Sequence, residues 1–199
     1  MLSKTQTAIM EFFVSKISEK FTIKAVSDGI NKQYPLVHRS IKPLIEKGFA
    51  LKDKHFLLSL NYKENHSTLA YIEGIRAEKF LQKHKTLDLF VKDASEKIKF
   101  SIILLVFGSY AEGKEGKGSD ADIMAIVEDN SKINSVEKIL NVIASSFSQK
   151  FDINVISTAS AYEMLSKRDE ANIMNESLNK HIILLGSESY YRVLKDGIR

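Results

Sequence analysis

Two aspartates stand two residues apart in Ser119-Asp120-Ala121-Asp122, at the head of an apolar run from Ile123 to Val127. In an extended chain, side chains at i and i+2 leave the backbone on the same side, so both carboxylates are expected on one face. Paired hard oxygen donors suit Mg²⁺, above all where the ion must also hold the phosphates of a nucleotide. An earlier apolar run, Ile102 to Phe107, ends in Gly108-Ser109. Glycine lets the backbone come close to a phosphate, and serine offers it an N–H and an O–H. The segment between, rich in glycine and lysine, reads as a loop joining two strands. Ser119 is placed to cap or orient the turn at Asp120. Each feature also has a plain reading. Aspartate favours the turn that opens a strand, Ser-Asp favours a simple turn, and Lys114 and Lys117 fit a solvated loop as well as a phosphate-binding one.

The elements that must hold these groups are legible as patterns. The expected sheet strands are 101–107, 122–128, 152–157 and 181–185. Amphipathic helices over 87–99 and 135–150 are expected to cover one sheet face. Two short helices, about 160–167 and 169–180, precede the last strand, and residues 187–197 read as a terminal helix. Upstream, 5–20 has helical spacing, Thr22 is placed to cap IKAVSDGI, and Pro35 opens a helix that Gly48 closes. Pro43 falls inside that helix and predicts a kink or a later start. The stretch FALKDKHFLLSL reads as a hairpin.

The pattern Gly-Ser, about ten loop residues, and Asp-x-Asp at the start of a strand resembles the nucleotidyltransferase superfamily that includes DNA polymerase beta, and its compact form resembles the minimal nucleotidyltransferases. The resemblance covers residues 98–190. It implies a third carboxylate on a later strand, and Asp152 in FDINVIS fits that role. It further implies Asp120, Asp122 and Asp152 as catalytic and metal-binding residues, Gly108, Ser109 and Ser119 as nucleotide-binding residues, Mg²⁺ or Mn²⁺ as cofactor, and an NTP as substrate. Ala121 and Ile123 depart from the Ile and Leu common at those places. Members of the minimal group act as antitoxins on HEPN-type toxins, which makes such a protein one implied acceptor, beside an RNA end or a small molecule. Tyr162, Arg168, Lys180, Tyr190 and Tyr191 are candidates to line the acceptor side.

The order of three helices and a hairpin resembles a winged helix-turn-helix. In that reading the helix near Leu36 enters a groove of nucleic acid and the hairpin touches its backbone, through His38, Arg39, Lys42, Lys52 and Lys54, with His55 beside them. Charge agrees: residues 1–65 hold 11 Lys/Arg against 6 Asp/Glu, whereas 66–199 hold 18 against 19. A basic third suits a polyanion. The alternative is a winged helix used only for packing or dimerisation.

The expected fold is α/β in the broad sense (α+β). A winged helix-turn-helix fills 1–65, a helical connector 66–86, and a small mixed-sheet nucleotidyltransferase domain 87–199. The amphipathic helix at 69–83 is a candidate homodimer interface. The chain has no cysteine, which excludes disulfides and thiolate metal sites. No apolar run is long enough for a membrane span, and no signal peptide is evident, so a cytoplasmic location is expected. Two functions compete. One is an enzyme transferring NMP from an NTP to a hydroxyl. The other is a winged-helix transcription regulator that senses nucleotide through the same module without turnover.

Overall fold

The computed structural model describes residues 2–116 and 118–198. Lys117 lies outside them. The chain opens with α1 (Lys4–Val14), held at its start by a capping box. Ser3 Oγ accepts from Gln6 N, and Gln6 Oε1 accepts from Ser3 N. The helical spacing that predicts a helix to residue 20 is cut at Val14. Beyond it, Ile17 N donates to Leu178 O at 3.3 Å and Ser18 N to Asn179 Oδ1 at 3.0 Å, so these amides serve a distant segment rather than the helix.

Helix α2 (Ile23–Gly29) starts at the Thr22 cap, whose hydroxyl accepts from Ala25 N. Helix α3 (Tyr34–Glu46) has Pro35 in its first turn and runs through Pro43. The missing N–H of Pro43 falls in the last turn, where little helix remains to lose. Gly48, at φ +72°, then ends it in a Schellman motif: Gly48 N donates to Ile45 O and Phe49 N to Leu44 O, both at 2.9 Å. β1 (Ala50–Lys52) and β2 (Leu58–Leu60) form the antiparallel hairpin, and Phe21 bridges to Leu58 as a rudimentary third strand. This arrangement is compatible with a winged helix.

Two helices follow, α4 (His66–Lys83) and α5 (Lys85–Lys97). The sheet contains β3 (Ile103–Phe107), β4 (Ala121–Val127), β5 (Phe151–Ser157) and β6 (His181–Leu185), in the order β5-β4-β3-β6. It is mixed: β4 and β5 are parallel, the other pairs antiparallel. A short helix, α6 (Gly108–Glu112), follows β3 at once, where the sequence suggests loop. α7 (Ile133–Ala144) precedes β5, and α8 (Thr158–Ser166), α9 (Ile173–Ser177) and α10 (Ser187–Gly197) complete the chain. None of the described helices is long and apolar enough to cross a membrane.

Strand alternation divides the core in two. Leu104, Val106, Ile123 and Ala125 pack with α5 and α7, as the amphipathic patterns predict. Ile103, Leu105, Met124 and Ile126 face the other way, into a cluster that continues through α10 to Ile9, Phe13 and Leu44 of the N-terminal helices. Helix α4 is wedged into that continuity. Its Leu69 and Ile72 belong to this cluster and its Ala77 and Phe80 to the one under α5 and α7, and the helix packs against α1, α10, β6 and α5. The apolar face proposed for a second copy is thus covered within the chain, and Tyr71 is left on the outside.

Candidate active site

Sheet register builds the site. Asp152 of β5 lies opposite Asp122 of β4, which lies opposite Phe107 of β3, which lies opposite His181 of β6. These four residues form one row across the sheet. Asp122 shares its sheet face with Met124 and Ile126, so both row carboxylates point away from the α5–α7 layer. Asp120 sits one residue before β4, exposed, and its charge reaches Asp122.

Asp122 is half-buried, and its pKa is raised. Burial is the first cause, and the charges of Asp152, Glu176 and Asp120 add to it. Three other carboxylates thus act on Asp122, and no base among the described residues offsets them. Gly108 makes room for them. Its φ is +66°, and a Cβ there would overlap Asp122 Oδ2. A Gly108→Ala protein must strain its backbone by about 1–2 kcal/mol and also push the carboxylate aside. If the carboxylate moves by an ångström, transfer activity is expected to fall about 100-fold. A steady-state rate measurement beside a melting curve checks this.

The row opens into a cleft of about 720 Å³ between Phe107, Asp122 and Asp152 on one side and residues 171–176 on the other. That second wall is pinned by asparagines. Asn172 Oδ1 caps α9 through Asn175 N at 2.9 Å, and Asn175 Nδ2 donates to Lys167 O at 2.8 Å and Glu170 O at 2.9 Å. Glu176 projects from the same turn and faces Asp122 closely enough to oppose its ionisation. Sequence spacing does not flag Glu176 or Asn175, because they enter the cleft through the α8–α9 return and not through a strand motif.

The loop that carries Asp120 is tied down from several sides. Ser119 Oγ accepts from Gly116 N at 2.9 Å, Tyr110 Oη donates to Ser119 O at 3.4 Å, and Gln149 Nε2 donates to Tyr110 Oη. Ser119 therefore holds the turn. Ser109 Oγ has no hydrogen-bond partner among the described residues, while Ser109 O accepts from Lys114 N at 2.9 Å. Lys114 Nζ lies 3.2 Å from Glu112, which also faces Lys180 at 3.6 Å, so neither lysine points its charge at the carboxylate row alone.

At the far end of the row the sheet meets a buried ionic cluster. Glu73 and Arg76 of α4 pair at 2.6 Å, and Arg76 Nη2 donates to His181 O at 2.7 Å. Tyr191 Oη donates to Glu73 Oε1 at 2.8 Å. His181 Nε2 lies 3.3 Å from the same oxygen, and its Nδ1 donates to Ser177 O at 2.8 Å. Tyr190 and Tyr191, named above as acceptor candidates, are fully buried in this core and do not reach the cleft. Their place on the inner face of α10 explains why. Burial, with Glu73 nearby, holds the Tyr191 hydroxyl well above its ordinary range.

The nucleic-acid candidates sit elsewhere. His38, Arg39 and Lys42 are exposed on α3, opposite its buried Val37, Ile41 and Leu44. Lys52 lies over the Phe56 ring at 4.6 Å, and Lys54 is exposed in the hairpin turn.

Residues 85–170 match the family described as polymerase beta, nucleotidyltransferase. The match supports the nucleotidyltransferase superfamily for this segment, and it spans Gly108, Ser109, Asp120, Asp122 and Asp152. It ends before α9 and β6, so Glu176 and His181 lie beyond it. No curated protein and no solved structure matches the chain.

Proposed function

We propose that this protein transfers NMP from an NTP to a hydroxyl acceptor with the help of Mg²⁺ or Mn²⁺, and that its N-terminal domain binds nucleic acid. One observation carries the reading: parallel pairing sets Asp122 directly beside Asp152, under a glycine whose missing side chain leaves room for the carboxylate.

The donor set fits a hard divalent cation. Among the described residues no three His, Cys, Asp or Glu side chains are gathered as a ready-made metal cage. Asp122 and Asp152 are neighbours across the sheet, and Mg²⁺ takes one or two carboxylates and completes its shell with water and substrate phosphate. Asp122 and Asp152 would hold it first, with Asp120 joining once the ion is bound, and it would supply charge neutralisation for the triphosphate and acidity for the acceptor hydroxyl. The chain does the rest. The Gly108 and Ser109 amides and the Ser109 hydroxyl bind the outer phosphates. Asp152 lies on the acceptor side and takes the hydroxyl proton.

Stability should report this chemistry. A raised carboxyl pKa means that the folded state holds its proton more tightly than the unfolded chain. The fold is therefore unburdened below the ordinary value of 3.8, and it loses stability as pH rises through the shifted value of Asp122. At neutral pH, Mg²⁺ should raise the melting temperature relative to EDTA. Asp122→Asn should raise it in EDTA and abolish the response to Mg²⁺. An unchanged melting curve in both arms would count against a cation site.

The enzyme and regulator readings separate on Asp122→Ala. Loss of turnover with nucleic-acid binding retained supports the enzyme. A wild-type protein that never turns over, and whose DNA affinity shifts with nucleotide, supports the regulator. The acceptor classes are a protein hydroxyl, such as that of a HEPN-type partner, an RNA end, or a small molecule.

A further inference from the structure

A second groove, of about 310 Å³, runs where the hairpin meets the transferase part. Three cations line it, Lys20, Lys63 and Arg168, with no carboxylate among the described residues of its lining. Lys20 is shared with Asp53 at 2.9 Å. Lys63 and Arg168 have no acidic partner within ion-pair distance among the described residues. Tyr62 lines the groove too, half-buried with part of its ring against the core and close enough to Arg168 to feel its charge. On the hairpin side, Leu51 and Ser59 are cross-strand partners and present one face to the groove.

The groove is fixed in shape and leads somewhere. Ser18 N donates to Asn179 Oδ1 at 3.0 Å and Asn179 Nδ2 to Ser18 Oγ at 2.7 Å, which locks the N-terminal wall to the transferase wall. Arg168 Nη1 donates to Asn175 Oδ1 at 2.6 Å, and Asn175 lines the catalytic cleft. One arginine thus stands at the meeting of the two concavities. Cations interleaved with an aromatic ring are what a single nucleic-acid strand needs: charge along the backbone and a flat surface for a base. A neutral or basic acceptor has no use for three cations here, and Glu176 marks where the basic track stops and the carboxylate site begins.

We infer that this groove binds a single-stranded nucleic acid and delivers its terminal hydroxyl to the Asp122–Asp152 cleft as the acceptor. The inference rests on the transferase reading above for its second half only. In the transfer, the terminal hydroxyl oxygen bonds to the α-phosphorus of the NTP. The bond from that phosphorus to the α–β bridging oxygen breaks, pyrophosphate leaves with it, and the hydroxyl proton passes to Asp152.

The test uses the full chain and fluorescein-labelled single-stranded RNA and DNA oligonucleotides of mixed sequence, read by anisotropy across a salt series. Lys63→Ala/Arg168→Ala should weaken binding about tenfold or more at moderate salt and make the salt dependence shallower by about 1.4 in log–log slope, the share of two phosphate contacts on a single strand. Lys63→Glu, on an exposed side chain away from α9, should weaken it as well and guards against a folding defect. His38→Ala/Arg39→Ala is the competing variant. Binding that is absent in the wild type, or that survives both groove variants and is lost only with the α3 variant, overturns the groove site. The same oligonucleotides, incubated with NTP labelled at the α-phosphate, should take up label with the wild type and not with the groove variants. Label that goes to another acceptor and never to a bound strand overturns the acceptor assignment. If no acceptor of any kind is labelled, the transferase reading fails and takes the acceptor assignment with it, while anisotropy alone decides the groove. The RNA and DNA arms show which sugar the groove prefers.

Discussion

Replacing Asp122 with alanine is expected to abolish NMP transfer while leaving the protein at least as stable as before. The two halves of this result come from one observation. In the folded chain Asp122 is half-buried beside Asp152, Glu176 and Asp120, so its negative charge is opposed by its surroundings. Removing it relieves that opposition. In the proposed reaction the same carboxylate holds the cation that neutralises the triphosphate, a contribution of several kcal/mol to the transition state. At about tenfold per 1.4 kcal/mol, the rate should fall about 1,000-fold or more. Steady-state kinetics and a melting curve on the same preparation read both halves. A variant that loses activity by unfolding would melt early. A variant that melts at or above the wild-type temperature and is inactive has lost chemistry.

The second large effect is on folding. Glu73→Ala should destabilise the protein by about 3–5 kcal/mol, a large share of the roughly 5–15 kcal/mol that holds an ordinary domain together. The substitution strands the buried Arg76 guanidinium and removes the acceptor of Tyr191 Oη. Burial by itself would raise the pKa of Glu73. Arg76, His181 and the Tyr191 hydrogen bond outweigh burial, and the net direction is down. A depressed carboxyl pKa stabilises the fold above the ordinary value of 4.5, and that stability is lost as pH falls through the depressed value. Urea unfolding at neutral and acid pH should show this. The wild type should lose stability on acidification in a way that Glu73→Gln does not, because the amide has no proton to gain. Equal midpoints for wild type and Glu73→Ala at neutral pH would contradict the assignment. Helix α4 joins the N-terminal helices to β6 and α10, so loss of the cluster should loosen both parts together.

What could be read from the sequence was local or periodic. Thr22 and Gly48 announce the ends of their helices because a cap is a contact across three or four residues. Three of the sheet strands show because their apolar runs are uninterrupted, and β5 because apolar and polar residues alternate in it; the Asp120–Asp122 pair shows by its spacing, though β4 begins only at Ala121 and leaves Asp120 just outside the strand. Asp152 is legible only by likeness; that it lies beside Asp122 follows from a parallel pairing between segments separated by α7. The short helix α6 is hidden because five residues carry too little periodicity to distinguish helix from loop. Glu73 and Arg76 read as the polar side of an amphipathic helix, since their partner His181 lies 105 residues beyond Arg76 and no local pattern reports it. The burial of Tyr190 and Tyr191 is hidden from the sequence for the same reason. Their burial is fixed by how α10 packs on α4, a long-range fact. Glu176 lies in the short helix α9, placed by the α8–α9 return, whose course is set by side-chain bonds of Asn172 and Asn175 rather than by pattern; Arg168, named for the acceptor side, sits in that return.

The most direct test of the central claim is to incubate the wild-type chain with NTPs labelled at the α-phosphate and Mg²⁺ or Mn²⁺, with cell extract supplying acceptors, beside an Asp120→Ala/Asp122→Ala control. The account predicts label in a discrete macromolecular band that depends on the metal and vanishes in the control. Metal-dependent nucleotide binding with no label transferred from any NTP would contradict it and leave a nucleotide-sensing regulator in its place.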